Sequence, residues 1–376
     1  MTDRYCAAPF RHIALNQTTD RYRPCCMWNY EHVSPVMVSD SEPMDHPWMQ
    51  QLRDHMLTGL PHQGCGKCYD SEASRGDSLR LRFNQTYGRV SDADLRDFEF
   101  NFGNLCNLKC RMCGSWGSSR WIADEIKLGW QPAPLVRRTL DDMHVDFAKL
   151  DQIKLIGGEP SLEQPAILEV LSRIKLARGS LAHLSIEIIT NGLIPLGPDI
   201  MTLLQQCSMV LLQVSIDGHG SHNDYQRTGS NWDDVSRTAQ FYHGFIGPSW
   251  MTAVASCPSI FTIDSMRDLI DWMTAELPRS VHIVQPITDP TQLAIRNLPA
   301  GYKTLIKQKI TDWNPISDGF YDQAQIHNLK RNLCWHLDQP SNCDISSVRT
   351  HVNQLDLLRN EHLSLKNPEL FQHLFG

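Results

Sequence analysis

Between residues 96 and 290 the chain alternates short apolar runs with longer amphipathic stretches. The runs Phe98–Phe102, Ile153–Ile156, Leu184–Thr190, Val210–Ile216, Met251–Ser256 and Val281–Ile287 read as strands. Stretches near 116–127, 161–177, 198–206, 232–244 and 264–276 read as helices. Six βα units in succession predict a parallel sheet with crossover helices, buried on both faces.

Upstream the period changes. Residues 11–25 alternate apolar and polar positions around the polar centre Asn16-Gln-Thr-Thr-Asp20, which predicts a β-hairpin. Trp48, Leu52 and Met56 then recur at every fourth position between Pro47 and Gly59, the pattern of a short amphipathic helix. The polar, basic run from Ser71 onward reads as a connector. Its Arg75, Arg80 and Arg82 are expected on a solvated helix face, where an anionic substrate group would also find them useful. Past residue 291 the sequence turns helix-like and polar, and its Leu355–Arg359 stretch is read either as a cover over the strand ends or as an outer packing helix. The expected organisation is 1–90, 91–290 and 291–376.

Composition narrows the class. A chain of 376 residues is long enough for one large α/β domain with an appended smaller one, or for two medium domains. Its net charge of -7 supplies no broad basic field, so nucleic acid is not a default partner. No run approaches 18 apolar residues and the N-terminus has no basic-then-apolar signal, so no membrane partner and a cytoplasmic location are expected. Twelve cysteines in a reducing compartment favour metal over disulfides.

The cysteines cluster. Cys106, Cys110 and Cys113 stand at C-x3-C-x2-C after the first strand of the βα series. Three thiolates are one short of the four that close a zinc or iron–sulfur site, so this site is open to an outside ligand unless a distant fourth residue makes it a zinc knuckle. Cys6, Cys25, Cys65 and Cys68 form a separate set of four, since a hairpin brings Cys6 and Cys25 together and a helix delivers Cys65 and Cys68. Such a set suits zinc or a fully ligated cluster, and Cys26 rivals Cys25 for membership. Cys207, Cys257, Cys334 and Cys343 are scattered.

The C-x3-C-x2-C loop, followed at the second strand end by Gly157-Gly158-Glu159-Pro160, resembles the radical S-adenosylmethionine (SAM) superfamily. The resemblance implies a partial (β/α)6 barrel in which Cys106, Cys110 and Cys113 hold a catalytic [4Fe-4S] cluster. It further implies that SAM fills the open iron and that Gly157, Gly158, Glu159 and Pro160 hold its amino group. Asn191, Ser215 and Asp217 fall at the third and fourth strand ends, where the family faces SAM and substrate, and Arg227 matches an arginine that reaches SAM's carboxylate or ribose. The expected reaction is reductive cleavage of SAM to a 5'-deoxyadenosyl radical that abstracts a substrate hydrogen atom.

The N-terminal hairpin, helix and C-x2-C resemble the twitch module, the shortened SPASM domain, with one auxiliary [4Fe-4S] cluster on Cys6, Cys25, Cys65 and Cys68. Here the module precedes the barrel, whereas in most relatives it follows. A C-terminal helical extension completes the expected fold. The resemblance implies a peptide or protein substrate and a reductant such as flavodoxin or ferredoxin. The alternatives are a small-molecule dehydrogenase or epimerase, the latter needing a hydrogen-atom donor such as a thiol, and a non-catalytic iron–sulfur or zinc protein.

Overall fold

The computed structural model describes residues 3–16, 19–29, 31–245, 247–313 and 323–376, leaving the side chains of 74, 75, 323 and 324 aside. Its strands are β1 (His12–Leu15), β2 (Tyr22–Arg23), β3 (Asp97–Asn101), β4 (Gln152–Ile156), β5 (Ser185–Thr190), β6 (Met209–Ser215), β7 (Trp250–Ser256) and β8 (Val281–Val284). They form an eight-stranded sheet in the order β2-β1-β3-β4-β5-β6-β7-β8. The fold is α/β, with the six expected βα strands as β3 to β8 and a helical C-terminal region.

The expected hairpin exists, with Ala14 opposite Arg23 and Leu15 opposite Tyr22. Gln17 and Thr18 of its turn lie outside the described residues. The hairpin is not separate from the main sheet: β1 pairs in parallel with β3, His12 beside Asp97 and Ala14 beside Glu99. Short-range alternation located the strands of the hairpin but could not show which third strand they would join.

The chain divides into two compact units. Unit 1 is Met1–Leu105, Ala133–Ile189 and Leu196–Val210. Within it Phe98, Phe100, Ile153, Leu155, Ile186 and Ile188 are all buried on one face of the sheet. The helix Gln164–Arg178 contributes Ile167, Val170, Leu171 and Ile174 to the buried core. The opposite face departs from the fully apolar expectation, because Glu99, Lys154 and Glu187 stand in register across β3, β4 and β5. Lys154 Nζ lies 3.1 Å from Glu187 and 4.0 Å from Glu99, and Arg23 lies 3.9 Å from Glu99. Opposite charges at neighbouring positions on one sheet face attract, so the row is self-neutralising.

A smaller core in unit 1 surrounds the N-terminal cysteines. Tyr5, Cys6, Phe10, Trp28, Leu52, Met56 and Phe83 pack together, with Cys25, Trp48 and Cys65 against them. The predicted helix spans Pro47–Leu57, and His46 caps it by accepting from the Trp48 N–H. The arginine expectation fails at Arg80. Far from being solvated, it is buried, donates from Nε and Nη2 to both oxygens of Glu72 and reaches the Tyr5 carbonyl at 2.7 Å. Arg82 does stay exposed, paired with Asp77, and the Arg75 side chain lies outside the described set.

Unit 2 is Cys106–Pro132, Thr190–Pro195 and Leu211–Gly376. Its C-terminal helices are Ala300–Asp312, Gln323–Asp338, Ile345–Arg359, Leu363–Lys366 and Pro368–Phe375.

Candidate active site

The C-x3-C-x2-C loop lies in unit 2, and both of its sides are fixed by backbone. Lys109 N–H donates to the Thr228 carbonyl at 3.0 Å and Arg111 N–H to Gln226 at 2.7 Å, while Trp121 Nε1 donates to the Cys110 carbonyl at 2.9 Å. Leu108 N–H points at the Cys106 sulfur, 3.4 Å away. A donor aimed at a sulfur stabilises a thiolate, the form that binds iron. Asn191 brackets the loop from the end of β5, its Nδ2 donating to Asn107 Oδ1 at 2.7 Å.

Arg227, just past the helix Ser221–Gln226, is buried and places Nη1 3.9 Å from the Cys110 sulfur. Its Nε lies 2.8 Å from Asp217 Oδ2. Asp217 is fully buried, and its Oδ1 accepts from the Cys257 N–H at 2.8 Å. One connected row, Cys110–Arg227–Asp217–Cys257, therefore spans the ends of β6 and β7. Ser215, the last residue of β6, is half-buried. Burial pushes the Cys110 thiol up to about 12 against the opposing pull of Arg227, and it raises Cys113 as well. For Arg227, burial acts to lower the pKa, but Asp217 and Cys110 outweigh it and hold the guanidinium charged. Thiols that resist ionisation when bare give up their protons when metal replaces them.

Sequence reasoning missed what holds the loop from behind. Arg111, between two of the cysteines, is fully buried and donates from Nη2 to Asp356 and to Glu361, each at 2.6 Å. Its guanidinium carbon also stands 3.7 Å over the Tyr225 ring. Arg359 donates to Asp124 at 2.9 Å and lies 4.3 Å over the Trp121 ring. The Leu355–Arg359 stretch, on a helix that buries Val348, Val352 and Leu355 and exposes Leu357, thus also braces the cysteine loop.

The remaining predicted residues lie in unit 1. Gly158 N–H donates to the Gly103 carbonyl at 2.7 Å and Glu159 N–H to Leu105 at 2.8 Å. A Cβ on Gly158 would stand 2.2 Å from the Leu105 oxygen, so this glycine is required by backbone packed against backbone. Glu159 is buried and accepts from the Ser161 N–H at 2.9 Å, with Pro160 opening the short helical turn that follows. Gly157 sits 3.3 Å, by the same construction, from the Gly103 oxygen.

Cys6 stands within electrostatic reach of Cys65 and Cys68, and Cys25 within reach of Cys26, Cys6, Cys68 and Cys65. Around Cys26 the charges in reach are Glu99, Lys154, Arg23 and Glu187. Burial pushes the Cys6 thiol up to about 12 and the Cys65 thiol up to about 11. Gly64 has a role other than tight turning: a Cβ there would strike the Trp28 ring at 2.4 Å. Among the described residues, no three His, Cys, Asp or Glu side chains converge as donors to a single metal ion. In a four-iron cluster each thiolate binds its own iron, so cluster ligands need not converge in that way. Both donor sets, all thiol and enclosed, fit iron–sulfur groups by chemistry.

Residues 100–271 match the family described as Radical SAM superfamily. No curated protein matches the chain. Among solved structures, "Native anSMEcpe with bound AdoMet and Kp18Cys peptide" is 16% identical with a TM-score of 0.39, over 58% of this chain and 59% of that one. Streptococcus suis SuiB bound to precursor peptide SuiA is 13% identical with a TM-score of 0.37, over 74% of this chain and 53% of that one. The chain thus spans little more than half the length of these two proteins. Among the described residues no helix is long and apolar enough to cross a membrane.

Proposed function

We propose that the protein is a radical SAM enzyme acting on a peptide or protein, with a catalytic [4Fe-4S] cluster on Cys106, Cys110 and Cys113 and one auxiliary [4Fe-4S] cluster on Cys6, Cys25, Cys65 and Cys68. The observation that carries this reading is the three-cysteine loop inside the segment that matches the radical SAM family, with a charged guanidinium beside Cys110 and partly buried carboxylates behind Arg111. When bound, the cluster and SAM supply an electron and a 5'-deoxyadenosyl radical that abstracts a substrate hydrogen atom.

The chain's own residues have separable tasks. Cys106, Cys110 and Cys113 would hold the cluster as thiolates and leave one position for SAM. Arg227 offsets negative charge at Cys110, and Asp217 fixes Arg227. The turn Gly157–Pro160 offers backbone carbonyls to the SAM ammonium. The peptide half of the proposal rests on the N-terminal cysteine module and its resemblance to twitch modules. A low-potential one-electron protein such as flavodoxin or ferredoxin would serve as reductant.

Iron and sulfide analysis with Mössbauer spectra, on anaerobically reconstituted wild type and the Cys106/Cys110/Cys113→Ala variant, tests the cluster assignment. About eight irons falling to about four fits two four-iron clusters. Four irons falling to none, with zinc retained, would make the N-terminal site structural.

A further inference from the structure

Four charged side chains stand in one line across the sheet of unit 1. β1 meets β2 with Ala14 opposite Arg23, and β3 with Ala14 beside Glu99. β3 meets β4 with Glu99 beside Lys154, and β4 meets β5 with Lys154 beside Glu187. Residues in register share a face of the sheet, so the line reads Arg23, Ala14, Glu99, Lys154, Glu187 across adjacent strands, all within unit 1. The signs alternate. Two cations and two carboxylates leave the line without net charge.

Hydrogen bonds close only one end of it. Lys154 Nζ meets Glu187 at 3.1 Å, a hydrogen-bonding distance, but stands 4.0 Å from Glu99. Arg23 lies 3.9 Å from the other Glu99 oxygen, with only the methyl side chain of Ala14 in register between them. Glu99 is fully buried, yet among the described residues neither of its oxygens has a hydrogen-bond partner. Buried carboxylates are normally hydrogen-bonded, because burial strips away the water that would donate to them. Glu99 is therefore the open member of the line, two acceptor oxygens set between two cations. The side chains of Lys154 and Glu187 keep 24% and 29% of their surface exposed, so a small group can reach the line from solvent. Lys154 precedes Gly157 by three residues, about 10 Å of strand, which sets the line one short step below the turn Gly157–Pro160.

Charge and hydrogen-bonding capacity together select a ligand. An ammonium on this neutral line would add a buried positive charge and a carboxylate a buried negative one, and a buried charge without a partner is costly. An amide is neutral and carries a donor and an acceptor side by side. Its N–H satisfies Glu99. Lys154 has three donor protons, so its contact with Glu187 leaves it able to donate to the amide oxygen.

We propose that the line Arg23–Glu99–Lys154–Glu187 is a substrate-recognition site for an amide group, which donates to Glu99 and accepts from Lys154. The site deepens the peptide reading given above and rests on it, since a peptide bond and an Asn or Gln side chain both present this group. Arg23 and Glu187 act as positioning residues that hold the charges of Glu99 and Lys154 in place.

The test is saturation-transfer NMR on the anaerobically reconstituted, oxidised holoenzyme, with butyramide, N-methylacetamide, butylammonium and butyrate as probes at equal concentration. Wild type is expected to give one of the two amides a signal at least threefold larger than butylammonium or butyrate. Preference for butyramide points to a side-chain carboxamide as the group recognised, and preference for N-methylacetamide to a backbone amide; both support the site. Glu99→Leu should reduce the amide signal at least threefold. Its line then carries a net positive charge, so butyrate should rise above the amides, which also shows that the variant is folded. The Arg23→Met/Glu99→Leu variant keeps the line neutral and should lose the amide signal by the same factor. Equal wild-type signals for all four probes, a wild-type preference for butylammonium or butyrate, or an amide signal unchanged in either variant overturns the proposal. The readout involves no SAM cleavage, so its failure overturns this site alone, whereas a cluster-loaded enzyme that forms no 5'-deoxyadenosine overturns the radical SAM reading.

Discussion

Arg111 and Asp356, 245 positions apart in the chain, meet at 2.6 Å. Their contact ties the middle of the three-cysteine loop to the helix Ile345–Arg359, so a segment far along the chain braces that loop. Arg111 is fully buried, and Glu361 supplies a second carboxylate at 2.6 Å.

Removing Asp356 leaves a buried guanidinium with half of its carboxylate partners. Asp356→Ala is expected to cost about 2–4 kcal/mol, the range for breaking a mostly buried ion pair. Urea unfolding of the variant gives the number directly. An effect below about 0.5 kcal/mol would mark the contact as no stronger than a surface pair.

The pair Arg227–Asp217 makes opposite predictions for its two members. A cation beside a cluster thiolate favours the reduced, more negative state. Arg227→Met should therefore lower the reduction potential of the catalytic cluster by an amount on the order of tens of mV, and Asp217→Asn should raise it. Shifts of the same sign in an anaerobic redox titration would remove the charge argument.

Cys25 and Cys26 are distinguished by their surroundings. Cys25→Ser is expected to lose about four irons from the reconstituted protein, one cluster's complement, whereas Cys26→Ser keeps them. The reverse result would move the auxiliary ligand to the residue beside Lys154.

Acid sensitivity follows from His282, whose pKa burial lowers to about 3 from 6.5. It pairs with Ser256 at 2.8 Å. Below pH 6.5 the unfolded chain binds a proton at this imidazole that the native state refuses, so unfolding is favoured. The stabilising contribution is full above pH 6.5 and is lost progressively as the pH falls toward 3. His282→Gln should flatten the dependence of the urea midpoint on pH between 6.5 and 4.5. An unchanged slope would place the acid limb elsewhere.

Much of this was readable from the chain. Apolar runs located β3 to β8 to within a few residues, β3 to β7 because they carry buried positions, and Gly157–Pro160 follows directly on the end of β4. What escaped was set by tertiary contact. Arg80 reads as a surface residue until Glu72 is seen to neutralise it. The joining of β1 to β3 depends on a pairing some 85 residues distant, as His12 and Asp97 show. The polar row Glu99, Lys154 and Glu187 was visible as alternation within three strands, but its meaning required their register. Gly158 was singled out as a SAM contact, and what requires the glycine in the fold is the backbone of Leu105 beside it.

The central claim is tested most directly by incubating the reduced, cluster-loaded protein with SAM and measuring 5'-deoxyadenosine by liquid chromatography and mass spectrometry. The account predicts that the nucleoside forms with wild type and vanishes in Cys110→Ala. Protein with a full iron complement that leaves SAM intact, or a Cys110→Ala variant that cleaves it equally well, would contradict it.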